Sequence, residues 1–130
     1  MNLTIDQLNK IVQDSNAFEK IEQNVFKNII TEIILRRVVA HGQAIPYHMD
    51  NARHTMQIAL NSPDEYDGCR LAYFLPNLNI EEKEYHLETP QRPIGAYTIH
   101  DHTVIHCVTK MNTGTRYSLF FLTHSWDDKK

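Results

Sequence analysis

The sequence predicts a mainly β chain with helices gathered at its N-terminal side, an α+β arrangement. Three observations predict it. Apolar residues recur at helical spacing only in the N-terminal third, runs rich in β-branched and aromatic residues follow, and turn residues separate those runs at short intervals. Short strands divided by turns favour a barrel or a sandwich. With 130 residues, 42% hydrophobic and 22% charged, the chain can bury one core and not two.

Taken in order, Thr4 offers a hydroxyl N-cap, and Leu8, Ile11 and Val12 place an apolar stripe on a first helix. The polar trio Asp14, Ser15 and Asn16 interrupts it. Phe18, Ile21, Val25, Phe26, Ile29 and Ile30 then share one face of a second amphipathic stretch, which is expected to cover a sheet. Residues 33–39 are mostly β-branched and predict the first strand, after which His41, Gly42 and Gln43 turn the chain. Further strands are expected over 55–60, 70–75, 96–100, 104–108 and 116–122. Segment 76–92, with the charged run 81–84, reads as a solvated loop, and a substrate lid is the sharper alternative. Asn112, Thr113 and Gly114 are expected to join the last two strands as a hairpin. The organisation is therefore helical support over 1–32, a β core over 33–123 and a polar tail over 124–130, all in one domain.

The net charge of −3 excludes a broad polyanion-binding face, because phosphate contacts need clustered Lys and Arg, so nucleic acid is not an expected partner. No basic stretch followed by an apolar run opens the chain, and no segment is long and apolar enough to span a bilayer. A cytoplasmic location without membrane attachment is the expectation. Cys69 and Cys107 are expected to stay reduced, with Cys107 a small buried thiol on the strand face opposite His106.

His48 and Asp50 carry the chemical signal. Side chains at i and i+2 point the same way from a strand, so an imidazole and a carboxylate at this spacing chelate one ion together. A crossing strand need add only His106. Two imidazoles and one carboxylate form a facial set that leaves other coordination positions open, as in non-haem Fe(II) oxygenases, and zinc is the main chemical competitor. Ten residues after His106 stands Arg116, whose planar fork suits a carboxylate, and Ser118 shares its strand face. His100 and His102 flank Asp101 in what reads as an exposed turn. His41, His54, His86 and His124 have no spacing that recommends them, and Trp126 takes no role.

Around these residues, 54–61, Tyr66-Asp67-Gly68-Cys69-Arg70-Leu71, Pro93-Ile94-Gly95-Ala96, 103–108 and 114–121 follow in order. This series resembles the prolyl 4-hydroxylase-like branch of the Fe(II)/2-oxoglutarate-dependent dioxygenases across residues 35–122. The resemblance implies a double-stranded β-helix core of the jelly-roll, cupin-like kind. It implies His48, Asp50 and His106 as the catalytic metal triad, with Arg116 gripping the distal carboxylate of 2-oxoglutarate and Ser118 beside it. Fe(II), 2-oxoglutarate and O2 are the implied cofactor and cosubstrates, with ascorbate a further candidate. The implied reaction hydroxylates an unactivated C–H bond of a prolyl or other residue in a peptide or protein, or of a small molecule, and releases succinate and CO2.

The chain departs from the pattern at three places. Cys69 follows Gly68 where relatives have a glycine pair, Cys107 replaces a glycine, and a cosubstrate-binding tyrosine of some relatives falls near Ala59, so another donor is required. These departures keep a second class open, an inactive jelly-roll binding module that retains the metal. Cupins of other reaction types tend to present a glutamate and further histidines in a different order. A nucleic-acid demethylase of the superfamily would carry a longer arginine and asparagine pattern after the distal histidine.

Overall fold

Thr4 caps the first helix through a reciprocal pair: its Oγ1 accepts the Gln7 backbone N–H at 3.1 Å, and its own N–H donates to Gln7 Oε1 at 2.9 Å. The computed structural model describes residues 1–14, 16–76 and 85–126. Helix α1 spans Ile5–Ile11, and α2, Ala17–Lys20, runs on into a π-helical turn at Ile21–Phe26. Lys27 ends that turn in the left-handed region at φ 57°. The second helical stretch is therefore shorter than its apolar spacing predicts, leaving Ile29 exposed and Ile30 in the core beyond the helix.

Among the described residues nine strands follow: β1 Glu32–Val39, β2 Ile45–His48, β3 His54–Ala59, β4 Tyr66–Gly68, β5 Leu71–Pro76, β6 Tyr85–Glu88, β7 Tyr97–Asp101, β8 Ile105–Val108 and β9 Met111–Thr123. One antiparallel sheet has the order β1-β9-β3-β7, with β4 against the start of β9, and the other has the order β2-β8-β5-β6. Strands β4 and β6 were not expected. Strand β6 falls inside the stretch read as a loop and pairs with β5, Phe74 opposite Leu87. All four of its residues are exposed, so no buried alternation announces it. Residues 77–84, part of the 76–92 stretch given the lid reading, and 127–130 of the polar tail lie outside the described residues.

The expected terminal hairpin is not formed. Strand β8 lies between β2 and β5, whereas β9 lies between β1 and β3 in the other sheet. Gly114 sits inside β9 at φ 86°, where a Cβ would meet Glu65 O at 2.2 Å, so it is a close-approach point for β4 and not a turn. Arg116 and His106 consequently line one cavity from different sheets.

The two-residue strand period then separates core from site. Met56 opposes Phe121 across β3 and β9, and both join Ile33, Leu8, Phe26 and Ile30 in the apolar cluster that the helices cover. Thr55, Gln57, Arg116 and Ser118 alternate with that set, are buried, and line the cavity. Cys69 and Cys107 are buried and free. Among the described residues, no helix is long and apolar enough to cross a membrane.

Candidate metal centre

Antiparallel pairing of β2 with β8 sets His48 opposite His106, with ring centroids 4.3 Å apart. Asp50 stands two residues past His48, beyond the end of β2, so the pair does not share one continuous strand. Proximity survives the strand end. One ligand atom from each of His48, Asp50 and His106 lies within 4.8 Å of the others. Asp50 Oδ1 is 3.5 Å from His48 Nε2 and 3.2 Å from His106 Nε2.

The backbone fixes which ring nitrogens face inward. His48 Nδ1 lies 2.8 Å from Pro46 O and His106 Nδ1 lies 3.1 Å from Val104 O. A carbonyl only accepts, so each Nδ1 carries the hydrogen and each neutral Nε2 turns a lone pair toward Asp50. Two lone pairs and a carboxylate oxygen at these distances repel unless a cation or a proton lies among them. The donor set thus fits a divalent metal, and without one the proton takes its place. Burial pushes His106 down, but the hydrogen bond to Asp50, the Val104 carbonyl and the Asp50 charge raise it above the usual imidazole value. Burial likewise pushes Asp50 up, and hydrogen bonds from His100, His106 and Thr55 outweigh it, leaving the carboxyl well below the usual range.

His100 is the main residue that the sequence reading misplaced. It is buried within β7 and absent from any exposed turn; its Nε2 lies 2.7 Å from Asp50 Oδ2, the oxygen that also accepts the Thr55 hydroxyl at 2.9 Å. Tyr73 OH lies 3.2 Å from His100 Nδ1 and 2.9 Å from Thr98 Oγ1. Burial raises Tyr73, keeping its hydroxyl protonated. Oδ2 is therefore held by two donors while Oδ1 faces the ligand set, an arrangement that orients a metal-binding carboxylate. The signal in the sequence was the alternation of Thr55 and Gln57 in an otherwise apolar strand.

Arg116 and Ser118 line the same cavity, of about 300 Å³. Arg116 is buried, with Nη2 donating to Gln57 Oε1 at 2.6 Å, Nη1 lying 3.5 Å from Cys69 Sγ, and Nε without a partner. Cys69 adopts φ 54°, a left-handed conformation that favours glycine, and it lines this wall. Arg92, which sequence reasoning missed, is buried, and its Nη2 donates to Ser118 Oγ at 3.2 Å. Burial and the neighbouring Arg116 charge lower its pKa. His41, His54, His86 and His102 do not line the cavity; His124 lines it outside the ligand set, 3.1 Å from Glu32 Oε1. Trp126 packs edge-on against His102 at 4.8 Å.

No family model matches the chain. Its fold is similar to that of an oxidoreductase of the 2OG-Fe(II) oxygenase family from Burkholderia pseudomallei, at 15% identity and a TM-score of 0.58, covering 90% of this chain and 54% of that one. A prolyl-4-hydroxylase from Pseudomonas putida matches at 17% identity and a TM-score of 0.58, covering 92% of this chain and 65% of that one. A prolyl hydroxylase from Trichoplax adhaerens, solved in complex with a hypoxia inducible factor oxygen degradation domain peptide fragment, matches at 18% identity and a TM-score of 0.54, covering 92% and 56%. The chain thus spans less than two thirds of each of these proteins. The likeness shows the fold, and it falls on the superfamily and branch that the sequence resembles.

Proposed function

We propose that this chain is an Fe(II)- and 2-oxoglutarate-dependent oxygenase with a double-stranded β-helix core, hydroxylating a prolyl or other residue in a peptide. One observation carries the reading: a single cavity gathers three metal-ligand side chains at one part of its wall and a buried guanidinium without a carboxylate partner among the described residues at another. The first group calls for a cation and the second for an anion. A divalent metal answers the first, and a keto acid that chelates it and carries a far carboxylate answers the second.

In this reading His48, Asp50 and His106 hold the metal, and His100 and Thr55 keep Asp50 Oδ1 turned toward it. When bound, iron supplies the activation of O2 that couples oxidative decarboxylation of 2-oxoglutarate to C–H hydroxylation. Arg116 and Ser118 hold the far carboxylate, and the buried wall of Leu71, Gln57 and Cys69 limits water around it. The peptide class is supported by the prolyl hydroxylases among the fold's relatives, one of them solved with a peptide. Ala59, where some relatives have a tyrosine, is the observation that favours an inactive binding module instead.

Calorimetric titration of 2-oxoglutarate into anaerobic protein loaded with Fe(II) or Mn(II) tests the reading. Metal-dependent binding, lost in His106→Ala and in Arg116→Ala, is the expected result, followed by succinate release under O2. Absence of binding by folded, metal-loaded wild type would refute the proposal. Binding without succinate release would identify the inactive module.

A further inference from the structure

Arg92 lies in the connection between β6 and β7, between Pro90 and Pro93, whose fixed φ limits the backbone on both sides. Only 8% of its surface is exposed. Its guanidinium is held at both ends, Nη1 donating to Tyr66 OH and Nη2 to Ser118 Oγ, each at 3.2 Å. Both acceptors are neutral. Arg116, two residues from Ser118 on β9, is 5% exposed and also has neutral partners, Gln57 and Cys69, with its Nε unpartnered. Among the described residues no carboxylate pairs with either guanidinium. Buried charges are ordinarily paired, and two buried cations, one bonded to Ser118 and the other two residues from it on β9, with no counterion among the described residues mark a place where an anion belongs.

The Ser118 hydroxyl sets the direction. Ser118 Oγ accepts from Arg92, which leaves the serine's own proton free to donate, and Ser118 lines the cavity. The acceptor it addresses there is an oxygen of an anionic ligand. Resting on the oxygenase reading above, we propose that Arg92 is a positioning residue of the far-carboxylate pocket. Acting through Ser118, it supplies the donor that Ala59 cannot and makes the site select 2-oxo acids with an anionic far end.

The test is calorimetry on anaerobic, Mn(II)-loaded protein with two ligands, 2-oxoglutarate and 2-oxopentanoate, which keeps the keto-acid end and replaces the far carboxylate by a methyl group. Wild type should prefer 2-oxoglutarate. Arg92→Met should weaken 2-oxoglutarate binding by about tenfold or more, the scale of a lost bond to a charged group, and leave 2-oxopentanoate binding unchanged. Arg92→Lys should recover part of the loss, keeping the charge without the fork. Joined to Ser118→Ala, Arg92→Met should add little further loss, because the two act as one unit. Equal losses on both ligands, no loss, or a wild type that binds both equally would overturn the role of Arg92 and leave the metal site standing. Wild type binding neither ligand refutes the oxygenase reading itself, and this proposal with it. Should Arg92→Met fail to fold, Arg92→Lys must show a smaller loss confined to 2-oxoglutarate, and Ser118→Ala a full one, for the proposal to stand.

Discussion

Replacing His100 by Phe removes one hydrogen-bond donor from Asp50 Oδ2 and keeps a ring of similar size against Tyr73, whose centroid lies 5.4 Å from that of His100. The bond lost is 2.7 Å long, buried on the histidine side and made to a carboxylate. Hydrogen bonds to charged groups contribute about 1.5–3 kcal/mol. Partners that orient metal-binding side chains typically change metal affinity by about 10- to 100-fold, or about 1.4–2.8 kcal/mol, and the two scales agree. His100→Phe should therefore bind Mn(II) or Zn(II) about 10- to 100-fold more weakly, read by competition with a chelating dye, with circular dichroism checking that the metal-free variant is folded. Tyr73→Phe, which leaves the His100–Asp50 bond in place, should cost less, about 0.5–1.5 kcal/mol. A folded His100→Phe variant with wild-type metal affinity would show that the chain around Asp50 orients the carboxylate unaided, and the argument from Oδ2 would fail.

Metal affinity should fall as pH drops from about 8 to 6, because a protonated imidazole is no ligand and His106 holds its proton above the ordinary imidazole pKa. Asp50, held well below the carboxylate range, stays charged over this window, so metal titrations at several pH values should resolve histidine protons and no carboxylate proton. Phe121→Ala should cost about 3–5 kcal/mol in denaturant unfolding, since the ring is fully buried against Met56 and the helices. Its site face is untouched, so folded Phe121→Ala should keep wild-type metal affinity.

Legibility followed the range of the interaction that fixed each feature. The Thr4 cap and the strand at β1 rest on neighbours a few residues apart, and the sequence displays them directly. The clustering of His48, Asp50 and His106 was legible because His48 and Asp50 are near in sequence and His106 lies within a recognisable apolar run. Pairing across the sheets was not legible. Gly114 looks the same in a list of residues whether it turns a hairpin or admits Tyr66 against β9, and only the register decides. His100 read as a turn residue because Asp101 and His102 follow it, yet its place in β7 opposite Thr55 turns it toward Asp50. Arg92 sits in an irregular segment between two prolines, where no periodicity exists to assign a facing.

The residues recovered only from the structure share a physical character that bears on function. Thr55, Gln57, His100 and Arg92 are all buried polar groups, the first three lining the cavity and Arg92 reaching it through Ser118, and a chain of this size gains no stability from burying several unless each has a partner. Thr55 and His100 find theirs in Asp50, and so serve the cation end of the cavity. Gln57 and, through Ser118, Arg92 serve the opposite requirement, holding positive charge in place without neutralising it. In the oxygenase reading, a metal relieves the acceptors converging at one part of the wall and a carboxylate relieves the Arg116 guanidinium at the other. In that reading a ligand that chelates the metal with one end and presents an anion at the other joins the two requirements, and the cost of folding this cavity becomes the source of its selectivity.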